Sequence, residues 1–219
     1  MSKLSNERIG ELMVSGETIL YAFFPILIAY TTKLMPPILF AGLSTLVAAV
    51  ALFIYMVSKK EIKKIINLKM IKYAVGVAIF IIIIPAILIF VGSSKTSGIN
   101  TSILLQSEIF FTFVICGIFT NESITSKKVL GAILMGAGAL FILFNKTFTI
   151  NSGDLLIIAG TFFYPIGNII AKKALTFSTP SVILFIRSLL GGIILLIISY
   201  QFEKWSLPIE QIISSNYLF

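Results

Sequence analysis

The residue best suited to chemistry in this sequence is Glu108, a carboxyl side chain inside the apolar run from Ile99 to Thr120. Thr112 follows it by one helical turn. Thr101 and Leu105 precede it at the same spacing, so one face of a helix would carry a narrow polar stripe. A charged group at the centre of a bilayer costs about 2.5–3.5 kcal/mol on insertion scales. We expect Glu108 to bind a cationic group or to take up a proton; the alternative is a carboxyl that only joins helices.

Arg187 is the second candidate, seven residues after Pro180 and inside the apolar run Val182–Tyr200. Its planar guanidinium suits a carboxylate or phosphate, so it is interpreted either as a partner of Glu108 or as a contact for an anionic solute. A long side chain this near a helix end can also reach the membrane surface. Gly191, one turn later, is expected to leave room beside the guanidinium.

Tyr164 and Asn168 are one helical turn apart and lie beside Pro165 and Gly167. A proline inside a helix removes one backbone hydrogen bond and leaves a carbonyl without its usual donor. The phenol, the amide and that carbonyl together are typical of a solute site in a broken membrane helix. Alternatively, the amide satisfies the backbone or a neighbouring helix.

These side chains need a membrane to position them, because the chain is too apolar for a soluble domain. Of its 219 residues 58% are hydrophobic and 12% charged, and the mean hydropathy is +1.04. A water-exposed surface could not hide so much apolar area. The pattern predicts an all-α integral membrane protein, a multi-span helical bundle. Seven runs approach the roughly 20 residues that a span needs: Thr18–Leu34, Ile38–Val57, Tyr73–Val91, Ile99–Thr120, Val129–Phe144, Leu155–Ala171 and Val182–Tyr200.

The positive charges indicate how these spans are oriented. The net charge of +8 arises from short clusters between apolar runs and forms no aromatic-interleaved basic face, so nucleic acid is not an expected partner. When the connections are assigned to alternating sides, 12 Lys and Arg residues fall on the side of the N-terminus and 4 on the other. Cytoplasmic loops carry this excess. We therefore expect a multi-pass protein of the cell inner membrane with a cytoplasmic N-terminus.

Composition also disfavours several classes of function. The sequence has no histidine, the commonest general base and metal ligand, and a single cysteine, Cys116. Its acids are isolated rather than clustered for a divalent cation. We expect no cofactor, no metal and no catalytic residue, although a membrane-embedded enzyme acting on a lipid-linked substrate and a receptor or scaffold without transport remain alternatives.

The sequence contains a weak internal repeat. Gly16-Glu17 followed by Phe24-Pro25 resembles Gly153-Asp154 followed by Tyr164-Pro165, and Pro36 precedes Leu43-Ser44 as Pro180 precedes Arg187-Ser188. Five spans separate the copies, so the second would enter the membrane from the opposite face, an arrangement typical of secondary transporters. This predicts a five-helix repeat over residues 1–147 and a partial inverted repeat over 148–219. We expect about three further spans beyond Phe219 from the repeat; the alternative is a complete seven-span protein.

The run from Asn100 to Phe144 carries a more specific pattern. Asn121-Glu122 ends the fourth predicted span, Lys127 and Lys128 follow, and the next span contains Gly131, Gly136 and Gly138. This run resembles the drug/metabolite transporter superfamily, in particular its EamA-like ten-helix members, and Gly153–Ser199 resembles the start of the family's second repeat.

The resemblance implies two inverted five-helix halves that move a small metabolite or drug-like solute by alternating access. The partners implied are that solute and the lipid bilayer, with a coupling proton and a second copy of the chain as further candidates. The residues expected to contact the solute are Glu108, Arg187, Tyr164, Asn168 and Thr112.

Overall fold

The computed structural model describes residues 6–62, 68–119, 125–126, 129–131, 133–134, 137 and 151–203. Its long elements within these ranges are helices. In chain order they are α1 (Asn6–Tyr21), α2 (Phe24–Thr31), α3 (Pro37–Ser58), α4 (Leu68–Val77), a π-helical segment (Ala78–Ile83), α5 (Ile84–Ser93), α6 (Gly98–Leu105), α7 (Ser107–Phe119), α8 (Ser152–Ala174) and α9 (Pro180–Phe202).

Six helices of the described part are long and apolar enough to span a membrane. They are Gly10–Thr31, Pro37–Ser58, Leu68–Ser93, Gly98–Phe119, Ser152–Ala174 and Pro180–Phe202. The predicted fold class, an all-α multi-span bundle, is thereby confirmed. Ten of the sixteen residues of the remaining predicted span, Val129–Phe144, fall outside the described residues, as do Asn121, Glu122, Lys127 and Lys128.

The first span begins earlier than the sequence pattern indicated. Gly16-Glu17 was expected to open it, but α1 starts by Asn6, and Glu17 lies well inside both the helix and the span. The sequence pattern placed the start of this span at Thr18, eight residues after the Gly10 at which the span of the structure begins. Glu, Leu and Met are good helix formers, and no proline ends the helix before Pro25, so α1 continues through them.

Local sequence explains where the other helices begin. Pro37 and Pro180 occupy the first positions of α3 and α9, where a missing N–H and a fixed φ are tolerated. Helix α8 begins with a capping box, in which the Asn151 side chain accepts from the Asp154 N–H and the Asp154 carboxylate accepts from the Asn151 N–H, both at 3.0 Å.

Helices α3 and α9 form an antiparallel pair along their whole length. A Cβ atom added to Gly42 would lie 2.8 Å from Leu196 Cδ2, and one added to Gly192 would lie 2.7 Å from Leu46 Cγ. Small residues at such positions let two helix backbones approach closely in a membrane. The pair therefore depends on glycine at the points of closest approach.

A glutamate holds each end of this pair. At one end, Glu203 just after α9 accepts hydrogen bonds from the backbone N–H groups of Ile38 (2.8 Å) and Leu39 (2.9 Å) in the first turn of α3. At the other end, Glu61 just after α3 accepts hydrogen bonds from the side chains of Thr179 and Ser181 at the start of α9. Each carboxylate thus lies against the positive end of the opposite helix dipole.

The ends of the membrane helices form two opposite faces of the bundle, called the Pro37 face and the Ser58 face. The Pro37 face contains Thr31, Pro37, Ser93, Gly98, Ser152 and Phe202; the Ser58 face contains Gly10, Ser58, Leu68, Phe119, Ala174 and Pro180. Helix α8 runs antiparallel to Leu68–Ser93, because Gly160 packs against Leu88 and Ile89 while Gly76 packs against Ile170. At the Pro37 face, the fully buried Asp154 also accepts a 2.6 Å hydrogen bond from Thr96 and so joins α8 to the α5–α6 connection.

The apolar core is divided into two clusters, one toward each face. The Pro37-side cluster comprises Ile28, Ile38, Ala41, Ile89, Phe90, Leu104, Leu105, Ile157 and Leu195. The Ser58-side cluster comprises Met56, Met70, Ala74, Ala174, Val182, Ile183 and Ile186. Any polar side chain at a depth between the two clusters would therefore have apolar side chains on the sides of both faces.

Gly191 offers a test of this close packing. A Cβ at this position would lie 2.9 Å from the Cβ of Ile82, a β-branched side chain with little freedom on its helix. We expect Gly191→Ala to destabilise the protein by about 1–3 kcal/mol through overpacking. The midpoint of thermal unfolding in detergent measures this. Gly16→Ala is the matched control, because among the described residues no atom beyond its own stretch of helix lies within 4 Å of the added methyl. Equal midpoints for the two variants would contradict the packing.

Candidate functional site

Five polar side chains from four membrane helices are linked by pairwise electrostatic interactions. Glu17 is within electrostatic range of Glu108, and Tyr21 of both carboxyls. Tyr164 is within range of Tyr21, Glu108 and Arg187. These five residues are called the midplane polar group below.

The name reflects their depth, which follows from a rise of about 1.5 Å per helical residue. Glu108 lies ten residues after Gly98 and Tyr164 twelve after Ser152, so both are about 15–18 Å from the Pro37 face. Tyr21 lies eleven residues after Gly10, about 16 Å from the Ser58 face. Ionisable side chains at this depth mark solute or proton pathways more often than helix contacts.

A break in the fourth membrane helix positions Glu108. Helix α6 ends at Leu105, and α7 starts at Ser107. Across Gln106 the bonding tightens to i→i−3 contacts, since the Gln106 N–H donates to Ile103 O and the Ile109 N–H to Gln106 O, both at 3.0 Å. Glu108 therefore lies in the first turn of a new helix, where a carboxylate is favoured by the helix dipole.

A hydroxyl pair holds this break against α8. The oxygens of Ser107 and Thr161 are 2.7 Å apart, and each hydroxyl also lies within hydrogen-bond distance of a backbone carbonyl of its own helix, Leu104 O and Ile158 O respectively. Thr161 is fully buried. The start of α7, and with it Glu108, is thereby fixed relative to Tyr164 on the same side of α8.

The stripe expected around Glu108 runs from the core to the midplane polar group. Thr101 and Leu105 are buried, and the Thr101 hydroxyl has no hydrogen-bond partner. Glu108 and Thr112 are half-buried. The polar end of the stripe, Glu108 with Thr112 one turn beyond, therefore borders the midplane polar group, while its first turn packs against other helices.

Tyr164 and Asn168 have different surroundings. Tyr164 is half-buried, packs against the Pro37-side cluster and belongs to the midplane polar group. Asn168 is exposed on α8, one turn closer to the Ser58 face. Pro165 between them is buried inside a continuous helix. The structure brings Tyr164 together with Glu108 and Arg187, whereas Asn168 lies at the edge of the group.

Arg187 on α9 is linked to the midplane polar group by its electrostatic interaction with Tyr164. Its Nε atom is buried without a hydrogen-bond partner, and no carboxylate among the described residues lies within ion-pairing distance of its guanidinium. Glu108 and Arg187 are thus separate in this structure, with Tyr164 near both. Gly191 does not leave room beside the guanidinium as expected, because it is buried against Ile82.

Glu17 and Tyr21 were missed as site residues in the sequence. They are four residues apart on α1, so they share a helix face, and Tyr21 stacks on Phe24 with ring centroids 5.3 Å apart. The i, i+4 spacing of an acid and a phenol could have revealed them. The predicted start of the span at Thr18 left Glu17 outside the membrane and hid the pattern.

Aromatic rings connect the group to the Pro37 face. Phe24 meets Phe90 edge-on at 5.9 Å, and Phe90 meets Phe40 at the same distance. With Tyr21 these rings form a continuous row from the midplane to the first turn of α3. No group of three or more His, Cys, Asp or Glu side chains that could hold a metal ion occurs in the described ranges.

Comparison with known proteins gives a consistent result. The model of the EamA-like transporter family matches residues 8–144 and 151–219. An "Uncharacterized transporter" of Methanothermobacter thermautotrophicus is 26% identical over 122 residues, which cover 53% of this chain and 36% of that protein. "Uncharacterized transporter YyaM" of Bacillus subtilis is 25% identical over 123 residues, 53% of this chain and 40% of the relative. The matched region thus spans well under half of either relative. No solved structure matches significantly.

Proposed function

The chain belongs to the EamA-like transporter family, and on that premise we propose that it is a secondary transporter that moves a small metabolite or drug-like solute by alternating access. The observation that carries the proposal is the midplane polar group. Glu108 and Arg187 are half-buried within the bundle, the exposed Glu17 lies within electrostatic range of Glu108, and no ion pair joins Arg187 to either carboxyl in the described structure. Such groups are costly in a membrane unless water, a proton or a ligand compensates them.

Within this proposal, the solute contacts Glu108, Tyr164 and Arg187, with Thr112 and Asn168 at the edge of the site. Glu108, with Glu17 nearby, takes up the coupling proton, because two neighbouring carboxyls disfavour double ionisation. Tyr164 can donate or accept a hydrogen bond, so it can follow a change of charge at Glu108. The solute and the proton would then compete for, or share, one set of side chains.

The proposed membrane orientation follows from the charges. The Ser58 face is cytoplasmic, since the positive-inside pattern places the N-terminus there in the inner membrane. The proposed division into residues 1–147 and 148–219 as inverted repeats is supported by the antiparallel pairing of α3 and α9. Each follows the first helix of its repeat, each begins with proline, and the two cross the membrane in opposite directions.

Uptake of isotopically labelled metabolites tests the proposed function. Proteoliposomes are given a uniformly ¹³C-labelled extract of small metabolites, with the outside more acidic than the inside or with equal pH, and their contents are read by mass spectrometry. We expect at least one labelled solute to change its internal level in a gradient-dependent way relative to protein-free liposomes. Identical contents in both preparations, with the pH gradient and without it, would refute transport.

A further inference from the structure

Irregular backbone occurs within three of the membrane helices, and at the same depth in two of them. The first is interrupted at Ala22 and Phe23 between α1 and α2, the third contains the π-helical segment Ala78–Ile83, and the fourth is broken at Gln106. Counted from the Pro37 face, Phe23 and Gln106 are each eight residues deep, or about 12 Å. Breaks and π-helical turns of this kind are where membrane helices bend and are frequent at functional sites.

Helices α3 and α9 show the opposite character. Each is an unbroken helix, of 22 and 23 residues respectively. Glycine contacts join them along their length, and the Glu203 and Glu61 carboxylates hold the two ends. A pair fixed at both ends is suited to remain still while interrupted helices bend beside it.

Packing differs between the two halves of the interrupted helices. In α2 and α6, toward the Pro37 face, Pro25, Ile28, Leu104 and Leu105 are buried. On the other side of the breaks, every described side chain of α1 from Gly10 to Tyr21 is exposed, and Ile115 is the single buried residue of α7. Toward the Pro37 face, the midplane polar group is therefore covered by buried side chains of α2 and α6.

We propose that α2 and α6 together form a gate on the Pro37 face, which opens by bending at Phe23 and at Gln106 while the α3–α9 pair stays fixed. The proposal rests on the proposed transport function. The closed gate is the present structure, with Ile28 and Leu104 packed in the Pro37-side cluster. Opening separates these side chains and exposes the aromatic row of Phe24, Phe90 and Phe40. Hinges of this kind need only a few residues at the ends of helices.

A disulfide across the gate tests the proposal. A Cβ added to Gly98 would lie 3.1 Å from the Cβ of Ala29, close to the roughly 3.5–4.5 Å of a disulfide. Ala29→Cys and Gly98→Cys are combined in a Cys116→Ser background with Tyr21→Cys as reporter. Labelling of the reporter by the impermeant reagent methanethiosulfonate ethyltrimethylammonium is then measured from each side of sealed vesicles, before and after oxidation.

Oxidation is expected to lower the labelling rate from the Pro37 face at least about tenfold, since the open state is normally a minor population. Labelling from the Ser58 face should not change, and reduction should restore the labelling rate from the Pro37 face. An unchanged rate from the Pro37 face in the oxidised protein would overturn the gate. Metabolite uptake is scored separately in the protein without these cysteine substitutions, so absence of uptake there refutes transport whereas the labelling result judges the gate.

Two controls separate bending of the gate from general effects. Leu46→Cys and Gly192→Cys cross-link the fixed pair, since a Cβ added to Gly192 would lie 2.7 Å from Leu46 Cγ. This cross-link should leave labelling unchanged, and loss of labelling there would contradict the fixed pair. If the gate cysteines impair folding, single Ile28→Cys and Val182→Cys variants replace them. Both positions are 0% exposed, but Ile28 lies in the gate and should react at least about tenfold faster. Equal rates would overturn the proposal.

Discussion

Replacement of Glu108 by Gln is expected to abolish the gradient dependence of transport and to lower solute accumulation by about 10- to 100-fold. A hydrogen bond to a charged group contributes about 1.5–3 kcal/mol, and about 1.4 kcal/mol corresponds to a factor of ten. Gln keeps the size of Glu and resembles its protonated form, but it can neither release nor take up a proton. Uptake of the ¹³C-labelled solute at several imposed gradients measures the effect.

Glu11→Gln is the matched control for this substitution. Glu11 lies on α1, is exposed, and is one residue inside the start of the first span, so the variant removes the same charge near the membrane surface. We expect it to transport as the unchanged protein does. Glu17→Gln should resemble Glu108→Gln more than Glu11→Gln, because Glu17 lies within electrostatic range of Glu108. Undiminished, gradient-dependent uptake by Glu108→Gln would remove this carboxyl from the mechanism.

The position of Glu108 could be predicted because a single carboxyl in an apolar run has few explanations. The surroundings of this carboxyl could not be predicted from the sequence. The break at Gln106, which places Glu108 in the first turn of α7, contains no proline or glycine and depends on tertiary contacts such as the Ser107–Thr161 pair. Hydropathy reports whether a segment can cross the membrane, and a one-residue interruption of the helix leaves it unchanged.

The membrane spans themselves were predictable because apolar length is a strong constraint in lipid. The contacts made by the polar residues at the ends of these spans were harder to predict. Glu61 and Glu203 each follow a span and resemble ordinary solvent-exposed loop acids in the sequence, yet each binds the start of a helix more than a hundred residues away. Only the antiparallel packing of α3 and α9 brings these groups together, and short-range spacing carries no information about it.

The same limit applies to the glycines. Gly191 was expected to make space for Arg187 because it follows one turn later on the same face. In the structure the neighbouring helix takes up that space with Ile82, so the missing side chain serves helix approach instead. A glycine in a membrane helix indicates close contact, but the sequence does not say with which element.

Loss of the Glu203 carboxylate gives the largest expected change in stability. Glu203→Ala removes the acceptor of the Ile38 and Leu39 N–H groups, at 2.8 and 2.9 Å, and also the partner of the Ser199 hydroxyl at 2.5 Å. A buried donor left without a partner costs about 1–3 kcal/mol. Since Ile38 and Leu39 are buried, we expect a loss of about 2–4 kcal/mol for the two donors together.

Comparison of Glu203 with Glu61 shows why the two ends of the α3–α9 pair should respond differently. Glu203 serves backbone N–H groups, which cannot turn elsewhere, whereas Glu61 serves the hydroxyls of Thr179 and Ser181, which can rotate toward water or backbone. The midpoint of thermal unfolding in detergent should therefore fall more for Glu203→Ala than for Glu61→Ala, with Glu203→Gln in between because its amide keeps one acceptor oxygen. Equal midpoints for Glu203→Ala and the exposed Glu11→Ala would mean that the carboxylate does not hold α3. The fixed helix pair on which the gate depends would then lose its support at the Pro37 face.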